Sequence, residues 1–521
     1  GTGSQMIPIN SLTMLPDAEA HAINKMSERI AQHRSRHNLR QHYYDGTSGL
    51  RDLGISIPPQ LRNMEVALGW PSKAVNSLGQ RIHMEGYVLA STDVTDWGID
   101  LIQYENRLEV ETSQVHQSTL LHGCTFLATF RGDTTIGEPE VVIQAFPATH
   151  ASGLYRPTTR TLGASLLILD EDNSAINRAL ALFPHVIHDL RKDQFGWTVQ
   201  SYANTLGRVP VELQAFNPSL SRPFGKSFLS RDMMAITDHA MRSVARAEVG
   251  AEFFTAPQRY ILGADQDFFL DENGKSVGAW DLMMGRMLGV PYNDVDEQMP
   301  EVGSFPQQSM QPYSDQLRTY AGLFSGASGL PVSSLGIISD NPASAEGVHA
   351  VREDLLVTAR DAATSFTPAW VRTMQTAVQL KNNLTELPDE LRRMTVRWAD
   401  PATPSRSASA DAAMKLVSAG IIPADSDVAL EMVGMSSADV MRIQAHRQIK
   451  EAPDRLAGLL EGRTEEGGLE KAQEMKATAD ALGSLRRAGV TADSAATLVG
   501  LDGVKFHPGL PVTIREEAAD A

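Results

Sequence analysis

The stretch FGKSFLSRDMMAITDHAMRSVARAEVGAE, residues 224–252, carries the pattern that decides the fold. After Phe224-Gly225-Lys226-Ser227, apolar side chains recur at the three- and four-residue spacing of a helix over residues 228–252. These apolar positions are Met233, Ile236, Ala240, Val244 and Ala247. The arginines of this helix lie elsewhere on its circumference: Arg231, Arg242 and Arg246. The pattern predicts a long helix with one face packed against other elements.

The composition changes downstream, at residues 263–311. Nine acidic side chains oppose only Lys275 and Arg286 there, so the segment has a net charge of −7. The sequence Asp271-Glu272-Asn273-Gly274 is typical of a hairpin turn. We therefore expect a compact acidic module after the long helix.

Helical patterns return after this module. One covers residues 313–324 and is followed by the glycine-rich stretch 325–331, which we expect to be a flexible break. A much longer pattern covers residues 344–381, with Pro368 as a predicted kink. Beyond a linker at residues 401–405, the chain reads as a helical tail.

The N-terminal part mixes helical and strand patterns. Helices are predicted over residues 17–42, 70–82 and 97–119, from apolar residues at helical spacing. Short runs rich in β-branched and aromatic residues predict strands over residues 124–130, 140–146 and 164–170. A two-layer α/β region that ends near Asn217 is the simplest fold for this arrangement.

Composition narrows the function classes. The chain has 521 residues, 42% hydrophobic and 21% charged, as in ordinary soluble globular proteins. Its net charge of −17 argues against a protein that holds nucleic acid through a basic surface. The single cysteine, Cys124, allows no internal disulfide. No apolar run approaches the roughly 20 residues of a membrane span, and we expect residues 1–5 to be an expression scar before Met6.

Catalytic and metal motifs are weak. Gly225-Lys226-Ser227 and Gly274-Lys275-Ser276 lack the earlier glycine of a phosphate loop, since Leu220 and Phe269 occupy its place. His185 and His188 have the spacing of a zinc pair, but a surface helix is the simpler interpretation. The sequence therefore predicts no catalytic residue, no metal and no cofactor, and a protein that is not an enzyme.

The order of several short stretches resembles a tailed-phage portal protein, of the type common in siphophages of actinobacterial hosts. The similarity extends over about residues 17–448. The matching stretches are Tyr43-Tyr44-Asp45-Gly46, Ile57-Pro58-Pro59-Gln60-Leu61-Arg62, Trp70-Pro71, Arg81-Ile82, Arg222–Ser227, Ala256–Gly263, Ser325–Gly336 and Asn341–Glu346.

This resemblance implies an α+β portal fold with a mixed α/β wing, a helical stem, a small α/β clip, a long kinked wing helix and a helical crown. The implied segments, after the scar at 1–5, are the wing 6–217, a stem helix with flanks 218–262, the clip 263–311, a second stem helix 312–329, the tunnel loop 330–342, the long helix and wing return 343–404, and the crown and tail 405–521.

The resemblance also implies which residues do the work. Uncharged tunnel-loop residues would contact DNA without binding it tightly: Val332, Ser333, Ser334, Leu335, Ile337, Ile338 and Asn341. Arg231, Arg242 and Arg246 would face the channel or pair with carboxylates of a neighbouring copy, and we favour pairing. Clip residues would dock the packaging motor and the tail adaptor: Asp271, Glu272, Trp280, Asp294, Asp296 and Glu297.

The implied function is a channel at one capsid vertex through which double-stranded DNA is packaged and ejected. The implied partners are further copies in a ring of usually twelve, DNA in transit, the terminase large subunit, a head–tail adaptor, and the major capsid and scaffolding proteins, with no membrane. The protein would be in the virion, and in the host cytoplasm during assembly. The alternatives are another ring-forming head–tail adaptor, or a phage head enzyme such as a nuclease or protease.

Overall fold

A computed structural model gives the fold of the chain. It describes residues 6–47, 66–90, 94–172, 175–255, 259–263, 299–304, 309–337, 345–402, 406–424 and 426–435, and short pieces between 439 and 485. The chain divides into two compact units, residues 1–402 and 403–521.

The described helices occur in both units. In the larger unit they are α1 (Asp17–Asp45), α2 (Trp70–Gly79), α3 (Ile99–Glu105), α4 (Leu108–His122), α5 (Arg231–Thr255), α6 (Gln311–Ser328), α7 (Ala345–Lys381) and α8 (Asp389–Arg392). In the smaller unit they are α9 (Arg406–Ser418) and α10 (Asp427–Met432). No described helix has the length and apolar character needed to cross a membrane.

The described strands all lie in the larger unit. They are β1 (Met84–Val88), β2 (Cys124–Arg131), β3 (Val141–Pro147), β4 (Ala151–Arg156), β5 (Thr161–Asp172), β6 (Ala175–Leu182), β7 (Val186–Asp193), β8 (Gly196–Ala203), β9 (Val211–Ala215), β10 (Arg259–Leu262), β11 (Glu301–Ser304) and β12 (Thr395–Trp398). They form an antiparallel sheet of order β4-β5-β6-β7-β8, a sheet of order β3-β2-β9, and the pairs β1-β12 and β10-β11. The fold is thus mixed α/β, as the sequence predicted.

The main core lies where α7 crosses the sheet β3-β2-β9 and meets α4. Trp370, in the middle of α7, is 1% exposed. Its indole Nε1–H donates to Nε2 of the buried His116 at 3.1 Å, and Nδ1 of His116 is 3.0 Å from the carbonyl oxygen of Ile82. Because Nε2 accepts, the proton of the neutral ring lies on Nδ1 and is donated to Ile82. This chain of hydrogen bonds ties α4 and α7 to the segment that enters β1.

A second core lies between α1 and the five-stranded sheet. Ile23, Met26 and Ile30 are buried on one face of α1, against apolar residues of β5, β6 and β7. The helix can be this long because a single apolar stripe packs along the sheet, which leaves its other face free for polar groups.

The predicted helix over residues 97–119 is wrong, because the chain bends at Asn106-Arg107. Arg107 has φ of 50°, and α3 ends before it while α4 begins after it. The Asn106 side chain explains the bend: its amide donates to the carbonyl of Val141 at 2.9 Å, and its oxygen accepts from the N–H of Ile143 at 2.7 Å. The helix is interrupted where a side chain binds the backbone of β3.

The prediction of a surface helix around His185 and His188 is also wrong. Residues 186–193 form β7, and the His188 side chain is buried with its Nε2 2.8 Å from a carboxylate oxygen of Glu19 in α1. A tight connection joins β6 to β7, since the N–H of Phe183 donates to the carbonyl of Val186 at 2.9 Å. Among the described residues, no group of histidine, cysteine and carboxylate side chains could hold a metal ion.

The predicted break at residues 325–331 is partly helical. Helix α6 continues to Ser328 and ends at Gly329, whose φ is 70°. A left-handed residue after the last turn is the usual way to end a helix. The predicted turn at Asp271–Gly274 lies outside the described residues.

Candidate functional site

The helices α5 and α6 pack side by side. The Ser243 hydroxyl of α5 donates to the Gln316 side-chain oxygen of α6, and the His239 and Tyr320 rings stack with centroids 5.8 Å apart. Strands β10 and β11 follow α5 and precede α6, and they pair from Arg259↔Ser304 to Leu262↔Glu301. The long pattern at residues 228–252 therefore belongs to a helical pair whose far ends lead into a β-ladder.

The predicted stem arginines lie on α5 without ion pairs inside the described part of the chain. Arg231 and Arg246 are exposed, and Arg242 is half-buried with its Nε lacking a hydrogen-bond partner there. Their pairing with carboxylates of a neighbouring copy stays a prediction.

The predicted tunnel loop is partly anchored to the core. Residues Val332–Leu335 form one 3-10 turn, and the Trp70 indole N–H donates to the carbonyl of Leu335 at 3.1 Å. Leu335 itself is 7% exposed and belongs to the main core. The Leu335 side chain is therefore corrected from a DNA-facing candidate to a core residue, because it ends the turn with its side chain packed in the main core.

The other tunnel-loop candidates differ in exposure. Val332 and Ile337 are half-buried against the core, Ser334 is half-buried, and Ser333 is exposed. Ile338 and Asn341 lie outside the described residues. The predicted clip residues also lie outside them: Asp271, Glu272, Trp280, Asp294, Asp296 and Glu297.

Sequence reasoning missed a basic stripe along α1. Its members follow one another at spacings of four, four, three and four residues, and they are Lys25, Arg29, His33, Arg36 and Arg40. This spacing places them on one face of a helix. The helical spacing of these basic residues is visible in the sequence, but the net charge of the whole chain, −17, does not reveal a local basic surface.

The basic stripe lines a cavity of about 1550 Å³, which we call the basic cavity. Further cations line the cavity from other elements: Arg160, Arg222, Lys226 and Arg372. Among the described residues that line the cavity, Glu212 of β9 is the only carboxylate. The Arg29 guanidinium lies 3.6 Å from the centroid of the Phe224 ring, so a cation–π contact connects α1 to the segment before α5.

Burial and crowding of positive charge shift the pKa values of groups in this cavity. Burial, with the charges of His122 and Arg40, lowers the pKa of His37 to about 3. Burial and the charge of Arg36 lower the pKa of Arg40 to about 10. Burial raises the pKa of Glu212 to about 7, although Arg372 and Arg208 act in the opposite direction. Burial therefore disfavours the charged form of each of these three groups.

His37 and Glu212 are expected to change the free energy of unfolding with pH in opposite directions. Between about pH 4 and pH 6 the unfolded chain protonates His37 and the folded chain does not. The contribution of His37 to stability is therefore complete above its unfolded pKa of 6.5 and is lost as the pH falls below that value. Glu212 has the opposite sign, because its raised pKa removes stability as the pH rises from about 4.5 to 7.

The measurement is the free energy of unfolding in urea from pH 4 to pH 7. Relative to the wild-type protein, its slope against pH is expected to be lower in His37→Asn and higher in Glu212→Gln, each by up to about 1.4 kcal/mol per pH unit. Equal slopes in all three proteins would contradict the assigned environments.

The site thus comprises a pair of helices, a turn anchored to the core and a basic cavity. The family model described as phage portal protein, SPP1 Gp6-like, matches residues 23–445. The chain belongs to this family of phage portal proteins.

Two relatives of this chain are also named portal proteins. The chain is 28% identical over 405 residues to the portal protein of Mycobacterium phage D29, covering 74% of this chain and 80% of the relative. It is 25% identical over 389 residues to the portal protein of Mycobacterium phage L5, covering 73% and 79%. The resemblance to portal proteins of phages with actinobacterial hosts is confirmed.

Solved structures also resemble the chain. One is a chain in the neck of an empty GTA particle computed with C6 symmetry, with 12% identity and a TM-score of 0.40, covering 70% of this chain and 90% of that one. Another is a chain in the neck of a native GTA particle computed with C12 symmetry, with 12% identity and a TM-score of 0.39 over the same shares.

Family membership establishes a structural portal protein of a bacteriophage, and portal proteins are components of the virion. The family description and the names of the relatives carry no catalytic function. Membership of the portal family decides against the two alternative functions, a head–tail adaptor and a phage head enzyme.

Proposed function

We propose that copies of this chain close into a ring, usually of twelve, around a channel at one capsid vertex. Double-stranded DNA enters the head through this channel during packaging and leaves through it during ejection. Membership of the portal family is the observation that carries the proposal. The ATP that drives packaging is hydrolysed by a separate terminase.

The proposed architecture keeps the segments expected from the sequence. Residues 6–217 form the wing, α5 and α6 form the stem, and α7 returns the chain to the wing. Residues 263–311 form the clip, which docks the terminase large subunit and later the head–tail adaptor. Residues 405–521 form the crown and tail. The side-by-side packing of α5 and α6, with β10 and β11 at their far ends, supports this division.

The charge of the chain supports a channel through which DNA slides. Each phosphate contact made by a lysine or arginine adds affinity through counterion release, and tight binding would stop movement. The turn at Val332–Leu335 carries no charged side chain, and its exposed member is Ser333. We propose that this turn and the residues that follow it approach the DNA, with Trp70 holding the base of the turn in place.

A cation at Ser333 is expected to slow DNA passage. In Ser333→Lys, every copy in the ring would present a positive charge to the phosphates, so the packaging rate should fall several-fold at low salt and recover at higher salt. The control is Ser333→Gln, which adds length without charge. The measurement is the rate of DNA uptake by assembled heads at two salt concentrations, with ring formation checked separately. Identical rates in the lysine and glutamine variants would contradict the placement of this turn beside DNA.

A further inference from the structure

The basic cavity concentrates positive charge in a chain whose net charge is −17. Eight lysine and arginine side chains and one carboxylate line it. Without these nine groups the chain's 46 cations and 63 anions become 38 and 62, a net charge of −24. A second copy of this chain is therefore an abundant source of complementary charge.

Most cations of the cavity have no ion pair among the described residues. Within the described part of the chain, Arg372 alone among its eight lysine and arginine side chains lies near a carboxylate, 3.9 Å from Glu212. His37 and His122 are 8% and 9% exposed, and Nδ1 of each has no hydrogen-bond partner there. Nε of Arg40 also has none. Buried polar groups are normally hydrogen-bonded, so a cavity with this many unpartnered polar and positively charged side chains favours an occupant that brings polar groups of its own.

An acidic loop of the same chain has the complementary properties. Residues 132–140, the connection between β2 and β3, contain Asp133, Glu138 and Glu140 and no lysine or arginine. All three carboxylate residues are exposed, and Ile136 between them is 71% exposed. The apolar Ile136 would find Phe224 and Tyr155 among the residues that line the cavity.

This acidic loop is held in shape before any contact forms. The side chain of Asp133 accepts from the N–H of Thr135 at 2.9 Å, and Glu138 accepts from the N–H of Asp133 at 2.8 Å. Gly132 allows the tight return, because a Cβ there would lie 1.9 Å from the carbonyl oxygen of Pro139. A preorganised loop loses little conformational entropy on binding.

The cavity and the acidic loop lie at opposite ends of one strand. Cys124, the first residue of β2, lines the cavity, and Arg131, its last residue, precedes the loop. At about 3.4 Å per residue the two ends are about 24 Å apart. A head-to-tail ring requires each copy to present two different complementary surfaces, which this strand carries at its two ends.

We propose that the basic cavity of one copy receives the acidic loop, residues 132–140, of the neighbouring copy, an inference that rests on the proposed ring. The cavity accommodates a turn of peptide. A nucleic-acid duplex is a wide rod, whereas a single turn of peptide can enter a cavity of about 1550 Å³. The peptide occupant is therefore favoured over DNA phosphate.

Charge reversal on each side tests this pairing. The cavity variant Lys25→Glu/Arg36→Glu changes two exposed side chains of α1, and the loop variant Glu138→Lys/Glu140→Lys changes two exposed side chains of the loop. Either variant alone is expected to lower the fraction of chains in rings at least tenfold near the assembly midpoint, and a protein with all four changes is expected to recover most of it. The controls are the exposed Arg393→Glu and Asp170→Lys, which lie outside both surfaces and should assemble as the wild-type protein does.

Ring formation is measured by native mass and by images of the purified full chain, and duplex binding is measured on the same samples. If the cavity variant and the loop variant each form rings as the wild-type protein does, the pairing is overturned and the proposed function stands. Loss in the cavity variant alone, or no recovery in the combined protein, would also overturn it. A cavity variant that keeps its ring and loses salt-dependent duplex binding would assign the cavity to DNA instead. A wild-type protein without rings would contradict the proposed function and the pairing together.

Discussion

Replacing His116 by alanine is expected to lower the free energy of unfolding of the larger unit by about 3–5 kcal/mol. The ring of His116 is buried and stacks on Phe366 with centroids 5.2 Å apart, while the Trp398 ring lies 5.4 Å away. Its removal leaves a cavity between these groups. It also leaves the indole N–H of Trp370 and the carbonyl of Ile82 without their partner. An unpartnered buried donor alone costs about 1–3 kcal/mol.

The matched control is His83→Ala, one residue beyond Ile82, because the His83 side chain is exposed. Urea unfolding followed by tryptophan fluorescence gives both values, and the control is expected to change the free energy of unfolding by less than about 0.5 kcal/mol. Equal effects of the two substitutions would contradict the role of His116 in tying α4 to α7.

Gly225→Ala is expected to have the second large effect, at least about 3 kcal/mol. Gly225 has φ of +69°, and a Cβ on it would lie 2.2 Å from the carbonyl oxygen of Phe216. That oxygen cannot move freely, because it accepts from the N–H of Lys226 at 2.8 Å, and the N–H of Phe216 donates to the carbonyl of Gly123 at 2.9 Å. The clash falls in the segment that leads into α5 and lines the basic cavity.

Gly207→Ala separates strain from collision. Gly207 has φ of +65°, but no atom lies within 4 Å of the position its Cβ would take. This substitution should lower the free energy of unfolding only by the strain of a left-handed alanine, about 1 kcal/mol. If the two glycine variants unfold at the same urea concentration, the close packing around Gly225 is wrong.

Much of the fold was accessible from the sequence because its signals are local. The apolar spacing after Phe228 predicted α5, and the runs after Cys124 and Glu140 predicted β2 and β3. These elements bury one face or a whole strand, so the hydrophobic pattern follows the structure directly.

The errors arose where a distant contact decides the local conformation. The break between α3 and α4 depends on Asn106 binding the backbone of β3, which lies about 35 residues along the chain. His188 is buried because Glu19 of α1 meets it across the sheet. Neither contact leaves a mark in the sequence around the residue concerned.

The candidate sites were predictable to different degrees. Order and spacing of short stretches gave the family, and the helical pattern placed Arg231 on α5. Leu335 was misplaced because its burial depends on a core that includes Trp70, far away in the chain. The basic cavity joins α1 to Arg160, Arg222 and Arg372, and only the fold brings these residues together.

The mass and image of the intact assembly test the central claim most directly. Native mass measurement of the purified chain should give a whole multiple of 56.7 kDa, and a twelve-membered ring would have about 680 kDa, twelve times that mass. Images of the same sample should show a closed ring with an opening at its centre. A single species of 56.7 kDa, seen as a particle without a central opening, would contradict the account.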